Sequence, residues 1–175
     1  MRIAAGVGVM CVLAASAALG QETANPVVSS AKEIVARQAG FIVTAAEMMP
    51  GDKYGYHPTA EQWSFGKIVS HVVMANDHVC AMLTEKPAPT TAVTDTTPKD
   101  ALVAALKESV EYCDAAFDQL QDARLGDTIT FFGGAKKPRA RALVEVVADL
   151  EDHYSQMASY LRMNGMVPPS VRPKK

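Results

Sequence analysis

The sequence predicts an all-α fold, a four-helix bundle running up-down-down-up with long second-to-third and third-to-fourth connections. Two observations carry this. Four segments of about 20 to 25 residues repeat apolar side chains at three- and four-residue steps, the signature of helices with one buried stripe. The breaks between them are rich in Pro, Gly and Thr.

The first helix is expected over residues 26–49, with Ile34, Gln38, Phe41, Ile42, Ala45 and Met49 on one face and Pro50 and Gly51 as its stop. Ser64 is a good N-cap for the second, whose stripe reads Ile68, His71, Val72, Ala75, His78 and Met82, so His71 is expected to point inward. Thr97, Pro98, Lys99 and Asp100 resemble a capping box opening the third helix. Its seam reads Val103, Leu106, Val110, Cys113, Phe117 and Leu120, a heptad repeat suited to nearly aligned packing. An irregular stretch follows, in which residues 128–132 can pair as a short strand. The fourth helix runs on to Asn164, with Gly165 as its stop. The segment between the second and third helices reaches roughly 40 Å when extended, against about 31 Å for a helix, so these two helices can run parallel.

The full sequence has 175 residues, a net charge of −2 and three cysteines. That balance supplies no basic field for nucleic acid and excludes a disulfide-dense miniprotein. Residues 1–20 carry a single charge, Arg2, ahead of an apolar run, and end in Ala18, Leu19 and Gly20; they read as a signal peptide. The mature chain is then expected to begin at Gln21, to be periplasmic or secreted, and to have no stable membrane insertion. Cys11 lacks the small preceding residue of a lipidated cysteine. An uncleaved anchor is the alternative, although the run is barely long enough to span a bilayer. Residues 21–170 form one domain, and residues 171–175 read as a frayed, disordered tail.

Chemistry concentrates on the fourth helix. With His153 as reference, Ala142, Val146, Asp149, Leu150, Met157, Tyr160 and Leu161 share its arc, so a carboxylate and an imidazole four residues apart lie on the face to be buried. An unpaired carboxylate there costs several kcal/mol and needs a cation or strong donors. Asp149, His153 and His71 supply three ligands for a divalent metal and leave a position open for water or substrate. The plainer reading is a hydrogen-bonded i, i+4 pair beside a satisfied core histidine. Tyr154 and Gln156 flank His153 and are candidates for supporting or substrate-contacting groups. His78 lies about 10.5 Å along the axis from His71, too far to share one ion, and reads as packed or partly exposed. Lys136, Lys137, Arg139 and Arg141 crowd the start of the fourth helix, where they bind an anion or, more simply, form a solvated loop. Met48, Met49, Met157, Met163 and Met166 read as core filler.

Cys80 and Cys113 each lie about 21 Å from the start of their own helix, so parallel helices put them at one level. In an oxidising compartment a disulfide closing about 33 residues contributes roughly 3 to 4 kcal/mol in the chain-entropy model. The alternative is two small buried residues packed without bonding.

Residues 48–80, MMPGDKYGYHPTAEQWSFGKIVSHVVMANDHVC, and residues 149–170, DLEDHYSQMASYLRMNGMVPPS, resemble the opening and closing halves of DinB-like proteins. The resemblance implies the up-down-down-up bundle and a divalent metal, zinc or nickel foremost with manganese or iron as further candidates, often held by three histidines. Those positions map to His71, Asp149 and His153, so this chain departs from the all-histidine form at Asp149. The family also implies a small-molecule thiol transferase or hydrolase, in which a metal polarises a thiol or water. A non-catalytic small-ligand-binding module on the same bundle is the alternative reading, and a homodimer built on an exposed helix face is a third.

Overall fold

Helix directions follow from which residues meet. The computed structural model describes residues 25–171, so the expected signal peptide, the start at Gln21 and residues 172–175 of the tail lie outside the described residues. The helices are α1 (Pro26–Met48), α2 (Phe65–Thr84), α3 (Lys99–Phe117) and α4 (Arg139–Met163). Between α2 and α3 the pairs Asn76 with Ser109 and Cys80 with Cys113 advance together, which makes those helices parallel. Arg37 with Glu151 and Phe41 with Tyr154 do the same for α1 and α4. Between α2 and α4 the order reverses, from Phe65 with Tyr160 through His71 with Asp149 to Leu83 with Arg139. It reverses again between α1 and α3, with Lys32 on Asp114 and Glu47 on Lys107. The bundle is therefore up-down-down-up.

Local signals account for most element ends. Ser64 Oγ accepts the Lys67 N–H at 3.1 Å and caps α2. Gly165 takes φ 75° past the end of α4, and the Met166 N–H closes back on the Leu161 carbonyl at 2.9 Å. Gly66 is required by close approach: a Cβ there would lie 2.8 Å from the Asp95 carbonyl oxygen and 3.2 Å from that of Tyr54. The segment joining α2 to α3 thus lies against the start of α2.

Several expectations are corrected. Thr97 does not cap α3; its Oγ accepts the Thr94 N–H at 2.9 Å within a turn, and Pro98 stands at the cap without a side-chain bond. The α3 seam is rotated, so that Leu102, Ala105, Leu106, Ser109, Cys113 and Phe117 are buried while Val103 and Val110 are half-buried. On α1 the buried stripe runs through Val28, Ala31, Val35, Ala39 and Ile42, leaving Ile34 at its edge. Met163 is exposed rather than core filler. The short strand β1 (Thr128–Thr130) has an unforeseen partner, β2 (Lys136–Pro138), paired antiparallel with Ile129 opposite Lys137. Ile129 is buried and pins the hairpin to the bundle, while Gly133 and Gly134, at φ 65° and 79°, turn it.

Cys80 and Cys113 form a disulfide in the structure, their Cα atoms 5.3 Å apart and both residues buried. Beside them the buried Asn76 amide donates to Ser109 Oγ at 3.1 Å, a polar pair that ties α2 to α3. A thiol assay on denatured, unreduced protein processed to residue 21 should find no free thiol. Reduction should lower stability by roughly 3 to 4 kcal/mol. Two free thiols per chain would show that the bond does not form.

Candidate metal centre

Because α2 and α4 run antiparallel, the middle of one faces the middle of the other. His71 Nε2 and His153 Nε2 each stand 3.4 Å from the same atom, Asp149 Oδ1. One ligand atom from each residue lies within 4.8 Å of the other two. The distance discriminates between the two readings of these residues. An N–H···O hydrogen bond prefers about 2.7 to 3.2 Å, so 3.4 Å is a poor one. A tetrahedral ion with bonds of about 2.0 to 2.2 Å separates its ligands by roughly 3.3 to 3.6 Å. Two buried polar atoms, Asp149 Oδ2 and His153 Nδ1, have no hydrogen-bond partner among the described residues, an arrangement that hydrogen bonding alone would leave costly. The donor set and spacing fit a divalent cation.

The electrostatics point the same way. Burial pushes the Asp149 carboxyl up, but the imidazoles of His153 and His71 outweigh it and hold it at about 2. Burial pushes His153 down, and the Asp149 carboxylate more than reverses this, with smaller help from Asp152 and Gln156. In chelated protein the His153 contribution is complete below its unfolded value of 6.5 and is lost as pH rises through the raised folded value. The Asp149 contribution is present above 3.8 and lost as pH falls toward about 2. Chelated protein should therefore melt at progressively lower temperature above pH 6.5. Metal affinity should strengthen over that interval, because protons compete for the same imidazole. Calorimetric melts with and without chelator check this; a melting temperature that rises with pH in chelator would contradict it.

His71 is not the inward residue its stripe suggested. The buried face of α2 is Phe65, Val69, Val72, Val73, Cys80 and Leu83, and His71 lies at the rim with its side chain 31% exposed. That position opens the centre to solvent, whereas the His153 side chain is 8% exposed. Tyr154 is also corrected. One residue past His153 turns it about 100° toward α1. There its ring stacks on Phe41 at 5.0 Å and its hydroxyl accepts the Ser170 N–H at 2.9 Å. It anchors the C-terminal turn and does not reach the centre. Gln156 donates to Asp152 Oδ2 at 2.9 Å and, one turn along from His153, helps to push the pKa of that imidazole up. His78 is exposed, its Nδ1–H donating to the Met74 carbonyl at 2.7 Å.

Two residues escaped the sequence reading. Trp63 precedes the α2 cap and walls the centre: its ring lies 5.0 Å from that of His71 and stacks on that of His153 at 6.0 Å and 15°. Its carbonyl accepts the Tyr160 hydroxyl at 2.8 Å, which fixes its backbone. The only available signal was a lone tryptophan in an otherwise polar loop. Arg139 is no part of a solvated loop. Its buried guanidinium donates to the Leu83 carbonyl and to Glu85 Oε2, the latter at 2.7 Å. A cation at the start of α4 is there at the end of antiparallel α2, where orphan carbonyls and the helix dipole favour it. Glu85 itself holds the left-handed φ of 56° that ends α2. Lys136 and Lys137 remain exposed on β2, and Arg141 pairs with Glu145 and lies over the Phe131 ring at 5.2 Å.

A groove of about 510 Å³ opens beside the centre, lined by His71 and Asp149 and continuing past Met74, His78, Phe132 and Glu145. No helix among the described residues is long and apolar enough to cross a membrane.

No curated protein sequence matches the chain. Among solved structures, a DinB-like protein from Bacillus subtilis matches with a TM-score of 0.66 and 18% identity over 83% of this chain and 99% of that one. A DinB-like protein from Bacillus cereus ATCC 10987 matches at 0.64 and 16%, over 77% and 91%. The mycothiol-dependent maleylpyruvate isomerase matches at 0.61 and 16%, over 74% of this chain and 60% of its own length. These likenesses establish the shared fold. The sequence profile of the DinB superfamily matches residues 38–157, a span that contains all three members of the centre. The chain belongs to the DinB superfamily.

Proposed function

We propose that this protein is an exported metal-dependent enzyme acting on a small molecule, with His71, Asp149 and His153 as the ligands of one divalent ion. The observation that carries the reading is the convergence of two imidazole nitrogens on one carboxylate oxygen at 3.4 Å, beside an open groove. Two nitrogens and one carboxylate suit zinc or nickel, and also admit manganese or iron. A bound ion supplies Lewis acidity toward a thiol, water or carbonyl oxygen. The protein's own part is to position and shield. Asp149 stays anionic, Trp63 covers both imidazoles on one side, and the exposed edge of His71 admits the substrate. A thiol transfer or thiol-dependent isomerisation, the isomerisation being the reaction named in the mycothiol-dependent neighbour, and a hydrolysis are the chemistries that such a centre serves.

Export is supported by the apolar N-terminal run and by the Cys80–Cys113 disulfide, a bond that persists mainly in oxidising compartments. Elemental analysis of protein purified from the extracytoplasmic fraction without a metal-binding tag tests the whole reading. Near-stoichiometric metal, with turnover of thiol adducts or small esters that chelator abolishes, is expected. Metal-free protein that still binds small molecules would replace the enzyme by a binding module.

A further inference from the structure

The register of α2 against α4 sets a second pair of polar residues in the same groove. His78 lies two turns beyond His71 toward the end of α2, and Glu145 lies one turn before Asp149 toward the start of α4. In an antiparallel pair these displacements have the same direction, and both residues line the groove with His71 and Asp149. Between the two polar ends the lining is apolar: Met74, Ala75 and Val79, with the half-exposed ring of Phe132 from the hairpin.

The far end offers acceptors. His78 spends its Nδ1–H on the Met74 carbonyl, which leaves Nε2 as the ring atom able to accept a donor. Glu145 gives Oε2 to Arg141, and among the described residues Oε1 has no hydrogen-bond partner. Arg141 does not line the groove; it lies over the Phe131 ring. A carboxylate accommodates further donors beyond one arginine. Among the described residues no lysine or arginine lines the groove. The helical rise separates the two ends by about 6 Å on α4 and about 10 Å on α2.

We propose that the groove selects a small amphipathic cation whose ammonium group is received by His78 and Glu145 while its other end meets the His71, Asp149 and His153 centre. This rests on that centre holding a metal.

Three hydroxamates test it on metal-loaded protein, because a hydroxamate grips a divalent ion and the chain behind it can be varied. The probes are the six-carbon acyl hydroxamates ending in ammonium, methyl or carboxylate. Binding is read by calorimetry and by fluorescence of Trp63, the single tryptophan, which stands against both imidazoles. The ammonium-ended probe should bind about tenfold tighter than the methyl-ended one, as a charge-assisted contact provides, and the carboxylate-ended probe should bind weakest. Glu145→Gln should bring the first ratio down to about two while leaving metal content unchanged, because one charge-assisted contact is then neutral. Equal affinities, a preference for the carboxylate, or undiminished discrimination in Glu145→Gln, each with stoichiometric metal, would overturn this inference alone. Protein that takes up no metal and binds no hydroxamate would overturn it together with the metal reading.

Discussion

Asp149→Ala is expected to strip the divalent ion from the protein. Asp149 Oδ1 is the atom on which both imidazoles converge, so its loss removes one of three ligands and leaves two histidines with nothing to hold them in register. Outer-shell substitutions cost about 10- to 100-fold in metal affinity, and a direct ligand should cost more than that. His71→Ala and His153→Ala should behave alike. His78→Ala should retain metal, because His78 sits two turns away with its ring turned to the Met74 carbonyl. Asp149→His, which restores the all-histidine set that the family resemblance implies, should also retain metal. Elemental analysis with titration calorimetry reads all five variants. Full metal content in Asp149→Ala, His71→Ala and His153→Ala would reject the centre.

Arg139→Met is expected to produce the second large effect, this time on stability. Arg139 is 5% exposed and satisfies the Leu83 carbonyl at the end of α2 while reaching Glu85 across the helix boundary. Methionine keeps much of the volume and removes every donor, so the carbonyl is orphaned in a buried place and the dipole of α2 loses its compensating charge. A cost of about 2 to 4 kcal/mol follows from the unsatisfied acceptor plus the lost buried charge. Arg139→Lys should recover part of it, since an ammonium restores the charge without the fork that serves two acceptors at once. Denaturant unfolding measures both. A methionine variant as stable as the parent would show that water satisfies the helix end.

The centre was legible for a local reason. Asp149 and His153 share a helix, and four-residue spacing places them on one face whatever else the chain does. His71 needed one more step, the choice of which helix faces α4, and the family resemblance of residues 48–80 and 149–170 supplied it. The parallel run of α2 and α3 was equally accessible, because a connection long enough to return along the bundle permits it and two cysteines equidistant from their helix starts point to it.

What escaped was decided between elements. The phase of a helix is read from its own apolar residues, yet whether an edge residue is buried depends on the neighbour. His71 therefore proved to be a rim residue, while Tyr154, a candidate supporting or substrate-contacting group, packs on Phe41. A capping arginine donates to a carbonyl 56 positions earlier in the chain, and no local pattern distinguishes it from the exposed lysines beside it. β2 has no alternation of its own and exists because β1 offers it a ladder. Trp63 walls the centre because α2 starts beside Tyr160, about two turns past His153 on α4, and the indole lies over both imidazoles from there. Periodicity, capping and spacing are local energies that the sequence states directly, so they determined the four helices, their stops and the shared face of Asp149 and His153, to which the family resemblance added His71. Burial, the pairing of helix ends and the walls of the groove depend on surfaces brought together from distant positions, and only the tertiary structure decided them.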